Sequence, residues 1–77
     1  MSKSAMTPDQ LRAAGQTLFG GRWQADLTDA MRLRDSARLR AMLRGDRPIP
    51  AGFKPEIIAL LRASSAAMQA LADALDD

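Results

Sequence analysis

Two breaks decide what this chain can fold into. Gly20-Gly21 and the run Gly45-Asp-Arg-Pro-Ile-Pro-Ala-Gly52 cut its 77 residues into short segments, and within each the apolar residues recur three and four apart. No segment shows the two-residue alternation of a strand, and there is no internal repeat. Thr7-Pro8-Asp9-Gln10 reads as a helix opening, with Thr7 as cap, Pro8 at the first helical position and Gln10 where a capping box places Glu or Gln. The first helix is predicted over 8–19, with Leu11, Ala14, Leu18 and Phe19 inward and glycine as its stop. A second begins near Arg22 or Trp23, buries Trp23, Leu27, Ala30 and Met31, and stops near Arg32, where no Gly or Pro marks an end. A third, capped by Asp35 or Ser36, turns Leu39, Met42 and Leu43 inward and ends at Gly45. Ile49 plugs the core from the loop, and a last helix runs from Lys54 or Pro55 to Leu75.

The fold class expected is therefore all-α: a four-helix helix-turn-helix domain with a long C-terminal helix. Residues 1–6 are expected to be disordered, 7–63 to form the domain, and 64–77 to extend it. A domain of this size buries only about 60% of the surface its unfolded chain exposes. A large substrate cavity is therefore not expected. The residue inventory excludes more. With no Cys, His or Tyr, the chain lacks thiolate metal sites, the commonest general base and the commonest metal ligand. The acidic residues form no convincing catalytic pair, so the chain is expected not to be an enzyme, to need no cofactor or metal and to take no small-molecule ligand. No membrane span and no secretory leader are expected, which makes a cytoplasmic location the default.

Charge is distributed unevenly. Net charge is only +2, yet 32–47 carries Arg32, Arg34, Arg38, Arg40, Arg44 and Arg47 against Asp35 and Asp46, and no base follows Arg62. Arginine favours planar, two-pronged recognition of phosphate and guanine. With Leu39, Met42 and Leu43 inward, Ala37, Arg40, Ala41 and Arg44 point outward, and Ser36 and Arg38 lie on the flanks. Small residues let such a helix approach base edges in the major groove of double-stranded DNA, and long arginines can bond guanine or phosphate. The competing reading is a solvated face paired with Asp26, Asp29 and Asp35. Trp23 is expected in the core, since three aromatics are too few for a single-strand stacking surface.

Three segments carry a resemblance: Leu11-Arg-Ala-Ala-Gly-Gln-Thr-Leu-Phe-Gly-Gly-Arg-Trp-Gln24, Trp23-Gln-Ala-Asp-Leu-Thr-Asp-Ala-Met31 and Arg38-Leu-Arg-Ala-Met-Leu-Arg-Gly-Asp-Arg-Pro-Ile-Pro50. Over roughly 9–62 the chain resembles small lambda-repressor-like, Cro-type helix-turn-helix DNA-binding proteins of alpha-proteobacteria and their phages. It departs from them at Arg32, where glycine is usual, and over Leu33 to Gly45, which is about one residue longer. The resemblance implies that Gln24 bonds a backbone phosphate. It implies that Ser36, Ala37, Arg40 and Ala41 face bases, with Arg38 the alternative to Arg40. Arg32, Arg34, Arg44 and Arg47 would hold phosphates beside the groove.

The last helix is longer than the domain needs. Ile57, Leu61, Ser64, Met68, Leu71 and Leu75 follow a 4-3-4-3-4 spacing, the pattern of a helix–helix seam, with Ile58, Leu60 and Ala67 as a second stripe. The first half, 55–63, is expected to pack on helices 1 and 3. Met68, Leu71 and Leu75 would carry a homodimer contact, unless the helix folds back or frays. The function expected is sequence-specific transcription regulation by a homodimeric repressor that occludes a promoter, of phage or mobile-element type by analogy. The alternative is a protein-interaction module, antitoxin-like or a phage inhibitor, on the same scaffold.

Overall fold

The computed structural model describes residues 6–76, and no strand occurs among them. Helix α1 spans Pro8–Phe19 and is followed by a 3-10 turn, Gly20–Arg22. Helix α2 spans Trp23–Ala30, α3 spans Ser36–Arg44 and α4 spans Phe53–Leu75. The disorder expected over 1–6 falls outside the described residues except at Met6, which is half-buried against the core.

Local chemistry explains most of these ends. The Thr7 hydroxyl accepts from the Gln10 N–H at 3.1 Å, and the Gln10 side-chain oxygen accepts from the Thr7 N–H at 3.0 Å. This reciprocal pair satisfies two donors that a helix start leaves open. Met6 and Leu11 hold the two positions of a hydrophobic staple across that cap. α3 ends in a Schellman closure. Asp46 N–H donates to Ala41 carbonyl, Gly45 N–H donates to Met42 carbonyl, and Gly45 takes the left-handed conformation with φ 83°. α2 ends in the same closure without glycine. Leu33 N–H reaches Thr28 carbonyl, Arg32 N–H reaches Asp29 carbonyl, and Arg32 itself carries φ 58°. Residue 32 thus holds a left-handed backbone that glycine adopts without the steric cost an L side chain meets there.

The start of α4 differs from the expectation. The helix opens at Phe53, because that ring is buried and its N–H bonds to Pro50 carbonyl. Pro55 is then the third helical residue, still within the turn whose N–H groups have no helical acceptor.

One apolar cluster joins the helices: Leu11, Ala14, Trp23, Leu27, Met31, Leu39, Met42, Phe53 and Ile57. Leu18, Phe19, Leu43 and Ile49 are half-buried, so Leu43 is less inward than its spacing suggests. Ala30 is exposed, and Thr28 is the buried residue near the end of α2. Helix α1 is the hub, packed against α2, α3 and α4, while α4 meets α1 alone and does not lie along α3 as expected. Gly15 lets α1 take the Trp23 ring against its backbone. A Cβ there would fall on ring atom Cε3 and lie 2.8 Å from Cζ3.

The second half of α4 leaves the domain. The radius of gyration is 14.1 Å, against about 11.5 Å for a compact chain of this length. From Ser65 to Asp76 every residue is exposed.

Candidate nucleic-acid interface

A five-residue connection, 31–35, sets α3 against α2. Thr28 ties the two together. Its hydroxyl donates to the Gln24 carbonyl at 2.7 Å and lies 3.3 Å from the Ser36 hydroxyl, at 5% exposure. Asp35 caps α3, accepting from Ala37 N–H at 3.0 Å and Arg38 N–H at 3.3 Å. Its carboxylate therefore serves the helix backbone and is not the arginine partner that a solvated salt-bridge face would need. Asp26 and Asp29 likewise form no ion pair among the described residues.

With Leu39 and Met42 buried, the outward side of α3 can be laid out at about 100° per residue. Ala37 and Ala41 form a strip of small residues. Arg40 stands on one side of it and Arg38 on the other, about 160° apart around the axis. Ala37, Arg38 and Arg40 are exposed, and Ala41 is half-exposed. On the Arg38 side the surface dips into an open hollow of about 280 Å³, lined by Arg34, Asp35, Ala37, Arg38, Ala41 and Arg47. Arg47 is held there by its backbone, since the Ala41 carbonyl accepts from the N–H groups of both Asp46 and Arg47. Arg34, Arg38, Arg40 and Arg47 have no carboxylate partner among the described residues, whereas Arg44 pairs with Asp46 at 2.9 Å. Three arginines without an ion-pair partner among the described residues thus line one hollow beside Asp35, whose carboxylate caps α3, and a fourth stands across the alanine strip. Such an arrangement can clamp an anionic oxygen and leave one planar donor free.

The remaining candidate residues fall around this face. Ser36 is half-buried and turned toward Thr28, so it holds α3 in place more than it faces outward. Gln24 is exposed on the first turn of α2, beside a second open hollow lined by Gly21, Arg22, Trp23 and Ala25. Arg32 is exposed at the left-handed corner. Trp23 is 6% exposed, which removes it as a stacking platform. Met68, Leu71 and Leu75 lie apart from this face, 59%, 61% and 76% exposed along the projecting end of α4. Thr28 and Gly15 carry no sequence signal of their roles. Both depend on which helix comes to lie opposite.

Among the described residues no cluster of three potential ligands could hold a metal ion. By length and composition α4 is one helix that could cross a membrane, a span the sequence reading does not expect. Much of its apolar character is alanine, interrupted by Arg62, Ser64, Ser65, Gln69 and Asp73. No protein family, curated protein or solved structure matches this chain.

Proposed function

We propose that the chain is a sequence-specific, double-stranded DNA-binding transcriptional regulator: a helix-turn-helix protein acting as a homodimeric repressor that occludes a promoter. The observation that carries this reading is the outward face of α3, where an alanine strip runs between unpaired arginines. Ala37 and Ala41 allow the helix to sit deep in the major groove. Arg40 donates two hydrogen bonds to a guanine edge. Arg38 works with Arg34 and Arg47 on a phosphate, because three cations around one hollow suit an anion and not a single base. This assigns Arg40 rather than Arg38 as the base reader. Gln24, Arg32 and Arg44 add backbone contacts at the rim, and Ser36 orients α3 through Thr28. One phosphate held in the hollow of each of two copies contributes about −2 to the slope of log affinity against log salt, and the rim contacts add to it.

The test is selection from a random duplex pool at about 150 mM salt, where exposed charges are well screened. An enriched motif containing a guanine that Arg40→Ala no longer selects supports the reading. No enrichment refutes sequence-specific binding. A second reading, a protein-interaction module, is favoured by the exposed apolar end of α4. On that reading, substitutions in the α3 arginines are silent and those at Met68 and Leu71 abolish partner binding.

A further inference from the structure

We infer that the projecting half of α4 pairs antiparallel with the same segment of a second copy, with Ser64 opposite the partner's Leu75 and Met68 opposite the partner's Leu71. The inference deepens the homodimer element of the proposed function.

The face in question is continuous with the core. Phe53 and Ile57 are buried, Leu61 and Ser64 are half-buried, and then Met68, Leu71 and Leu75 emerge exposed on the same stripe. The stripe therefore has a covered end and an open end. A parallel partner would have to run beside the stripe along its whole length, and its N-terminal half would meet α1, which already covers Ile57. An antiparallel partner avoids this. Its C-terminus approaches the edge of the domain at Ser64, and its own domain lies beyond Leu75.

Spacing selects the register. Residues opposed in an antiparallel pair have position numbers with a constant sum, and a sum of 139 brings 64 opposite 75 and 68 opposite 71, twice over. Every exposed seam residue then faces a seam residue, and no residue already buried is asked to move. Ala67 and Ala74 flank the seam, and their small side chains permit close approach of the two helices.

Charge selects the same direction. No base follows Arg62, while Asp73, Asp76 and Asp77 are all acidic. Parallel pairing would gather these acids and both negative helix ends in one place. Antiparallel pairing separates them and sets each acidic end beside the other chain's Arg62. The same acidity disfavours an anionic lipid surface as the occupant, since polybasic character draws helices to such surfaces.

The register also fixes how far apart the two domains stand. In this register the two Ile57 residues, which anchor the domains, lie 25 residues apart along the paired axis. At ~1.5 Å per residue that is about 37 Å, so the two domains stand at opposite ends of the paired segment and neither obstructs the other.

The absence of cysteine makes a direct test simple. Chains carrying Ser64→Cys and Leu75→Cys are prepared separately and oxidised alone and mixed. The expected result is a disulfide-linked species only in the mixture, together with dimer mass by light scattering of the native chain. Crosslinking of each variant with itself but not with the other indicates parallel pairing and overturns the proposal. A monomer at all concentrations overturns it too, as does a native chain that sediments with anionic vesicles and does not self-associate. Leu71→Asp should weaken the dimer at least about 100-fold, because one substitution removes a buried leucine from both copies. That leucine is outside the core, so helix content and melting of the domain should persist. The DNA reading stands or falls separately: an enriched half-site from a monomeric chain retains it and rejects the pairing.

Discussion

Gly15→Ala is the substitution whose outcome depends most on the packing of α1 against α2. In an exposed helix interior, alanine in place of glycine stabilises by about 0.8–1.0 kcal/mol. Here the added methyl would sit on Trp23 Cε3 and 2.8–2.9 Å from Cζ3 and Cδ2. Carbon atoms rest about 3.5–4.0 Å apart, so the ring must retreat by roughly an ångström or more. Trp23 is 6% exposed within the single core cluster, so that space must come from its neighbours. Overpacking of this kind costs about 1–3 kcal/mol, and losing the whole ring would cost about 3–5 kcal/mol. Taking about 3 kcal/mol as the cost and subtracting the helix gain leaves a net loss of about 2 kcal/mol, or a drop of about 8–16 °C in Tm for a domain of this size. The assay is thermal unfolding followed by circular dichroism and by the fluorescence of Trp23, the sole tryptophan. A Tm equal to or above that of the native chain would refute the reasoning. In a Trp23→Leu background the same substitution should become neutral or stabilising, because the obstructing ring is gone.

The other expectations concern the turn and the arginine face. Arg32→Gly should raise stability by about 0.5–1 kcal/mol, the left-handed cost of ~1–2 kcal/mol less the extra unfolded-state freedom of glycine; an unchanged or lower Tm would count against it. Asp35→Ala removes the side chain that receives two N–H groups of α3 and should cost about 1 kcal/mol in denaturant melts, whereas Asp26→Ala should cost little. Arg40→Ala should relax selection at one base pair with a loss of about 1–3 kcal/mol. Arg38→Ala should instead weaken binding to all sequences and lower the salt slope by up to about 2, because both copies lose the contact. Interchanged behaviour of these two variants would reverse their assigned roles.

Much of the secondary structure is legible without coordinates. Caps act over three or four residues, so Thr7-Pro8-Asp9-Gln10, Gly20-Gly21 and Gly45 mark their helix ends wherever the chain goes next. The inward stripe is legible for a similar reason: helical period selects Leu11, Ala14, Trp23, Leu27, Met31, Leu39, Met42 and Ile57, all of them buried, although it also selects Leu18, Phe19 and Leu43, which are half-buried, and Ala30, which is exposed. The arginine cluster and the projecting apolar end of α4 are likewise readable from order and spacing. Non-local facts are not. The end of α2 near Arg32 is read from the sequence, but its left-handed closure is not: it reflects two backbone hydrogen bonds and the packing that holds them, which outweigh a residue ill suited to φ 58°. That α4 opens at Phe53 and meets α1 alone depends on where the ring finds a core. That Gly15 is required, that Thr28 links α2 to Ser36, and that Arg34 and Arg47 join Arg38 around one hollow each involve residues brought together by the fold. Helix ends and inward faces were written in the order of residues because hydrogen bonding and burial along a helix are local. The partners across helices were decided by tertiary structure, because they depend on which surfaces the packed core brings into contact.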